Sequence, residues 1–410
     1  MTAQMYPMPE GCRPTPKHLL DLRPDSEIDH DLLHPKPVTD EKNAWFYWHT
    51  GYATMHPYLK RAVQNWHRRF SKQGWIIRVI DRAPDSPLNI ANFLDINDPK
   101  LFPKAFTNGA LTGTYAIQHN SDLVRWPLLL KYGGVYADVG MIQIGDLDIL
   151  WNQTIANPNS PYDVVSYNCG GVGDRGLSNY FFATAKNNPL FERSHRLLIE
   201  LWAADGGKDH TEGMSKSPLV KGAPFAAGDS FSFEEDGKVY GPDEVKEMLS
   251  DYIIQGLAMT MVMGLVDKED GWNGPEYCAK HVYAIDYMVG SQLINEMTAW
   301  NGPKQFHLMS LQMPKEDKME SEEQKEARGI VEACLSRSFG FKLAHGLIIR
   351  VLGDTLGSLW KKNPGADNVP GTYADWLRYG TLYWTPEVIS PRMDFQVIEP
   401  YKVGPLLREN

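Results

Sequence analysis

The sequence predicts an α/β fold in which a mostly parallel, Rossmann-type sheet is flanked by helices. Three observations predict it. An aromatic strand, an amphipathic helix and a second apolar strand follow one another between Trp45 and Ile80. A helix, a Gly-Gly turn and another strand repeat that order between Ser121 and Asp138. The chain has 410 residues and 42% apolar content, enough for one large core, and nowhere contains the ~20-residue apolar run of a membrane span. Strands alternating with helices signal βαβ units, whose right-handed crossovers leave the strands parallel.

Residues 1–43, rich in Pro, Asp and His, read as an irregular N-terminal arm. Trp45-Phe46-Tyr47-Trp48 has strand character and is ended by His49-Thr50-Gly51. From Pro57 to Phe70, Leu59, Val63, Trp66 and Phe70 recur at helical spacing, and Gly74 stops the helix. Trp75–Ile80 is a second strand, closed by Asp81 and the Pro84–Pro87 turn. Ser121 is the expected N-cap of the next helix, with Asp122 in its first turn and Pro127 inside it. Tyr132-Gly133-Gly134 ends that helix, Val135–Asp138 is a strand, and Gly140–Ile144 begins another. Val164–Tyr167 reads as a strand, and Ser178–Ala185 and Phe191–Ala203 as helices. Residues 205–250 are expected to form an excursion over the sheet, Tyr252–Val266 a buried helix and Lys304–Phe306 a strand. Lys315–Arg328 is a solvated charge run, Phe339–Trp360 an amphipathic helix and Gly371–Trp384 an aromatic segment that wraps back. With no repeat and no linker, one catalytic domain over 44–385 is expected, followed by a tail at 386–410.

Composition narrows the function. The net charge of −10 argues against a nucleic-acid partner, which selects for a basic face. Cys12, Cys169, Cys278 and Cys334 are scattered, with no Cys-x-x-Cys pair, so neither a disulfide framework nor a thiolate zinc site is expected. The first twenty residues lack a signal-peptide run, and a cytoplasmic location is expected.

The chemistry concentrates between Asn120 and Gly145. In open α/β sheets ligands bind beyond the carboxyl ends of the strands, and the 135–138 strand delivers Asp138 to such an end. Asp122 and Arg125, three residues apart, share one helix face. Gly133-Gly134 allows close backbone approach. A carboxylate in that position suits a divalent cation carrying a diphosphate. Gly170-Gly171-Val172-Gly173 reads as a loop near an acceptor.

These residues resemble the core motif of glycosyltransferase family 32 and the related capsular-polysaccharide-synthesis proteins. The likeness rests on Ser121-Asp122-Leu123-Val124-Arg125, Leu128-Leu129 and Tyr132-Gly133-Gly134-Val135-Tyr136-Ala137-Asp138, with the Trp45–Trp48 strand upstream. Weaker matches are Asn179-Tyr180-Phe181, Asp251-Tyr252 with Gln255, and Gly371-Thr372-Tyr373. The resemblance implies a GT-A-like fold with helical appendages and a sugar transfer that retains anomeric configuration. It implies a nucleotide-sugar donor held by Tyr47, Trp48, Asp122, Arg125, Gly133 and Gly134, and a small-molecule, lipid-linked or glycan acceptor near Asn179 and Gln255. Asp138, Asp251 and Tyr252 become the catalytic candidates. Mn²⁺ or Mg²⁺ would sit on Asp138, with His307 as a late ligand. The chain departs from the motif at one position: Asp138-Val139-Gly140 stands where Asp-x-Asp is expected. A metal held by fewer ligands, metal-independent transfer, a repurposed enzyme and a non-catalytic carbohydrate binder all stay open on the sequence.

Overall fold

A computed structural model describes residues 6–170, 176–224, 231–315 and 318–407. Its centre is a six-stranded mixed sheet: β1 (Asn43–Tyr47), β2 (Ile76–Ile80), β3 (Gly134–Ala137), β4 (Val164–Asn168), β5 (Phe181–Thr184) and β6 (Val282–Asp286). The spatial order is β6-β4-β5-β3-β1-β2. Every neighbouring pair is parallel except the two that involve β5. Five carboxyl ends and the amino end of β5 therefore meet along one edge.

Side chains alternate across this sheet with period two, as pleating requires. Ala44, Phe46, Val135, Ala137, Phe181 and Ile285 face one core, which also holds Val63 and Trp66 of the Pro57–Phe70 helix and Trp376 of the Tyr373–Tyr383 helix. Trp45, Tyr47, Tyr136, Phe182 and Ala284 face the other, against helices Ala116–Tyr132, Pro189–Ala203 and Ile254–Met263. Both faces are thus covered, which is why the strands read as near-continuous apolar runs. Burying each large side chain stabilises the fold by about 2–3 kcal/mol.

Several segments differ from the sequence expectation. Ser178–Ala185 contains β5 rather than a helix, because its buried run Phe181-Phe182-Ala183 packs on both faces at once. The helix predicted from Ser121 begins at Ala116 and continues through Pro127. Lys304–Phe306 lies inside the Gly302–Ser310 helix, started by Asn301 accepting from the Lys304 N–H. Phe339–Trp360 is not one helix. It holds a strand, Gly340–Lys342, and the short helices Leu347–Leu352 and Leu356–Lys362. Within the N-terminal arm, Cys12–Pro14 pairs with Trp384–Pro386, and helix Asp25–Leu33 buries Ile28 and Leu32. The 205–250 segment carries a hairpin, Phe233–Tyr240, and part of the Pro242–Tyr252 helix. Residues 171–173 of the glycine loop lie outside the described residues.

Gly133 and Gly134 sit at the amino end of β3, on the opposite edge of the sheet from Asp138, so their expected role in donor binding is corrected. Their backbones take φ of +66° and +96°, which disfavours any other residue. A Cβ on Gly134 would press into the Asn43 carbonyl and lie 2.7 Å from the Glu41 carbonyl oxygen. These glycines let β3 enter the sheet beside β1. We therefore expect Gly134→Ala to cost about 3 kcal/mol or more of folding stability in urea melts, while leaving ligand affinity of the folded fraction unchanged. A loss below about 1 kcal/mol would show that the turn has slack.

Candidate active site

The carboxyl-end edge gathers a buried polar network. Arg125, only 2% exposed, projects from the Ala116–Tyr132 helix over the Tyr136 ring, with its guanidinium carbon 4.8 Å from the ring centroid. It donates to the Asn179 carbonyl and to Ser121 Oγ at 2.9 Å, forms an ion pair with Asp122 Oδ1 at 2.9 Å, and reaches Asp138 Oδ1 at 3.5 Å. Burial works against its charge, but Asp122, Tyr136 and Asp138 outweigh that cost, so its pKa ends above the usual guanidinium value. Asp122 also faces His119 Nδ1 at 3.2 Å and the Asn179 amide at 3.4 Å. Gln255, fully buried, donates to the Asp122 carbonyl at 2.6 Å and accepts from Asn179 at 3.5 Å. Asp122, Arg125, Asn179 and Gln255, four residues predicted from separated segments, thus form one cluster.

Asp138 follows β3 directly. Its N–H donates to the Tyr180 carbonyl and its own carbonyl accepts from the Met141 N–H, which fixes the turn. The carboxylate keeps 27% side-chain exposure. Its second oxygen lies 3.0 Å from the ammonium of Lys342, a residue the sequence reading did not single out. Lys342 arrives because Gly340–Lys342 pairs antiparallel with Met141–Gln143. The signal was present in the alternation Phe339, Phe341, Leu343, all buried, which is strand-like rather than helical.

The same return brings in His345. Burial, reinforced by Lys342, pushes its pKa down to about 3, and its Nε2 has no hydrogen-bond partner among the described residues. A Cβ on Gly140 would sit 3.2 Å from the Leu343 carbonyl and 3.5 Å from this nitrogen. An aromatic row then runs His345, Tyr58, His56 and Trp48, with ring centroids 5.9–6.2 Å apart.

Other predicted residues fall elsewhere or take plainer roles. Trp48 lies at the carboxyl end of β1 on the site edge, half-buried, its indole donating to Thr54. The Tyr47 ring is buried in the core, its hydroxyl bonded to His49 Nδ1 at 3.0 Å. Asp251 accepts from the Gly213 and Ser215 N–H groups at 2.7 and 2.8 Å, so its carboxylate holds that turn rather than a substrate. Tyr252 packs edge-on to Tyr115 at 4.8 Å; burial first, then the charges of Asp122 and Asp138, raise its pKa. His307 lies exposed on the Gly302–Ser310 helix, 3.2 Å from Glu323, and shares no contact with Asp138.

The residues round Asp138 do not make a shell for Mn²⁺ or Mg²⁺, which need several converging oxygen ligands. Gly140 contributes none, both Asp138 oxygens already face cations, Asp146 and Asp148 serve a helix cap and Lys42, and the unpartnered His345 Nε2 adds a single nitrogen rather than further oxygens. Among the described residues, the one trio of ligand groups close enough to share an ion is Asp21, Asp31 and His67, and Arg23 already binds both carboxylates there.

The sheet and its buried polar edge make an α/β fold with a candidate site, and comparison with known proteins identifies the class. The profile of the capsular polysaccharide synthesis protein family matches residues 19–207. The O-glycosyltransferase braB of Annulohypoxylon truncatum is 32% identical over 407 residues, covering 97% of this chain and 94% of its own. Glycosyltransferase afumC of Aspergillus fumigatus is 32% identical over 376 residues, covering 90% and 92%. The O-glycosyltransferase PaGT of Phomopsis amygdali is 30% identical over 382 residues, covering 92% and 90%. This chain belongs to that family of capsular-polysaccharide-synthesis-like glycosyltransferases, and it is a glycosyltransferase. Among its described residues no helix is long and apolar enough to cross a membrane.

The His345 environment predicts a pH dependence. Its imidazole stays neutral in the folded chain down to about pH 3, whereas in the unfolded chain it protonates near pH 6.5. The unfolded state therefore takes up the proton first, and stability is lost as pH falls from about 6.5 towards 3. The stability advantage of wild type over His345→Gln should shrink between pH 7.5 and pH 4.5 in urea melts. An advantage independent of pH would mean that the ring is solvated.

Proposed function

We propose that this glycosyltransferase takes its sugar from a nucleoside diphosphate sugar and passes it to a hydroxyl of a small-molecule acceptor, on a GT-A-type sheet. One observation carries the reading. The Asp138 carboxylate stands at a strand's carboxyl end between the cations Arg125 and Lys342, beside the Asp122–Asn179–Gln255 cluster. A diphosphate needs cationic donors that are already in place when its bond to the sugar breaks. The sugar and ribose hydroxyls need buried acceptors, which Asp122 and Asn179 supply. Support for the sheet type comes from five parallel strands with one reversed strand, β5, between β3 and β4. Support for a hydroxyl acceptor comes from the relatives that carry the name O-glycosyltransferase.

The Asp122–Arg125 pair would hold the donor sugar in the attack geometry, and Trp48 on the same edge would offer an apolar face to the base. In a panel of UDP- and GDP-sugars, we expect release of nucleotide from one donor class and mass gain of a hydroxylated acceptor by one sugar. Asp122→Asn, which keeps the shape but removes the charge, should lower turnover on the order of 10²-fold. Absence of release and of any thermal shift with every donor would sink the nucleotide-sugar reading.

A further inference from the structure

We propose that Lys342 does the work a divalent cation would do at this site, so that the diphosphate leaving group is neutralised by protein cations alone. The inference rests on the nucleotide-sugar reading and adds the identity of the group that bears the leaving charge. Three observations carry it. The Lys342 ammonium lies 3.0 Å from Asp138 Oδ2, on the sheet edge where the diphosphate is expected. Its side chain is only 13% exposed, so the charge sits in a shielded setting where it acts more strongly than in water. The position of the second motif acid is crowded: a Cβ on Gly140 would stand 3.2 Å from the Leu343 carbonyl of the returning 342–345 segment, whose Leu343 N–H donates to the Gly140 carbonyl at 3.0 Å.

The substitution is consistent in charge. Two carboxylates with a divalent cation sum to zero, and so do one carboxylate and one ammonium. Losing the second acid and gaining the lysine therefore leave the net charge of the donor pocket the same. Asp138 fixes the ammonium, and Arg125, 3.5 Å from the other carboxylate oxygen, adds a second cation behind it. A metal entering here would meet a carboxylate already paired on both oxygens and an ammonium that repels it.

The step is balanced without a metal. The bond between the sugar's anomeric carbon and the diphosphate oxygen breaks, and its electron pair stays on that oxygen. The acceptor oxygen forms the new bond to the anomeric carbon, and its proton leaves to the departing phosphate. Lys342 donates hydrogen bonds to the phosphate oxygens while that charge grows, and the buried Arg125 adds its field from behind Asp138. Lys342 is thus assigned as a catalytic residue of the transfer. Asp138 acts through it, as a positioning residue.

The test uses the full-length chain and calorimetric binding of UDP and GDP beside uridine and guanosine, each in EDTA and in Mn²⁺, with donor turnover measured in parallel. We expect nucleotide affinity and turnover to agree within about twofold between EDTA and Mn²⁺. Lys342→Met, which keeps the stem without the charge, should lose on the order of 10²-fold in turnover and weaken the diphosphate while leaving the nucleoside unchanged. Lys342→Arg should restore a large part of both. A merely structural lysine would not separate nucleoside from diphosphate. Turnover abolished by EDTA and restored by Mn²⁺, or Lys342→Met turning over at the wild-type rate, would overturn the proposal. The EDTA arm needs no variant and decides the matter even if Lys342→Met fails to fold. Failure of both nucleotides to bind, with and without Mn²⁺, would overturn the donor reading itself, an outcome distinct from binding that needs Mn²⁺.

Discussion

The burial of one guanidinium organises the candidate site. Arg125 comes from a helix, yet its partners lie on that helix, after β3 and before β5. A buried cation is tolerated only when its donors are all answered, and removing a partner leaves an uncompensated charge in a low-dielectric interior. Asp122, Ser121, Asp138 and the Asn179 carbonyl therefore cannot move independently. The helix is tied to the carboxyl end of β3 and to the amino end of β5 at one point. The reversed direction of β5 has a use here: it brings Asn179 to the edge where the parallel strands end.

The second constraint is steric. Met141–Gln143 leaves Asp138 and pairs with Gly340–Lys342, two segments some two hundred residues apart in sequence. The pairing leaves little room for a side chain at Gly140, where a Cβ would stand 3.2 Å from the Leu343 carbonyl. The position that bears an acid in the motif is here a packing surface, and the strand packed on it carries Lys342, the charge that the proposal above puts in a metal's place. Gly140, Lys342 and His345 belong to one packed unit. The departure from the motif therefore does not by itself signal lost activity.

Much of this was legible in the sequence, for reasons that can be given residue by residue. The first βαβ unit was, because Leu59, Val63 and Trp66 repeat at helical spacing between two aromatic strands. So were Asp122, Arg125 and Asp138, since a helix face and a strand end are both local properties. Gly133 and Gly134 were recognised as a special turn but placed on the wrong edge. A glycine pair announces positive φ and close approach, and does not say whether the neighbour is a ligand or, as here, the backbone of β1. β5 was missed because a strand buried on both faces has no period to read. Lys342 was missed because its role depends on pairing with a distant strand, and no local pattern encodes which strands pair.

The placement of His307 and His345 makes the same point from chemistry. Both are late histidines, and only burial separates them. His307 sits in solvent beside Glu323, where an imidazole has water and a counter-charge available. His345 is enclosed, held neutral, and bounded by Gly140, Gly357 and Tyr58. A neutral imidazole adds no charge to a pocket whose carboxylates and cations already balance: Asp122 and Asp138 against Arg125 and Lys342. Protonating it would put a third cation beside Lys342, and that repulsion, added to the cost of burial, is what holds its pKa low. His345, held neutral, thus leaves the balance of those four charges undisturbed. On the proposed donor reading, a diphosphate would meet cations whose positions are set by the fold, and little energy would be spent reorganising them as the leaving charge develops.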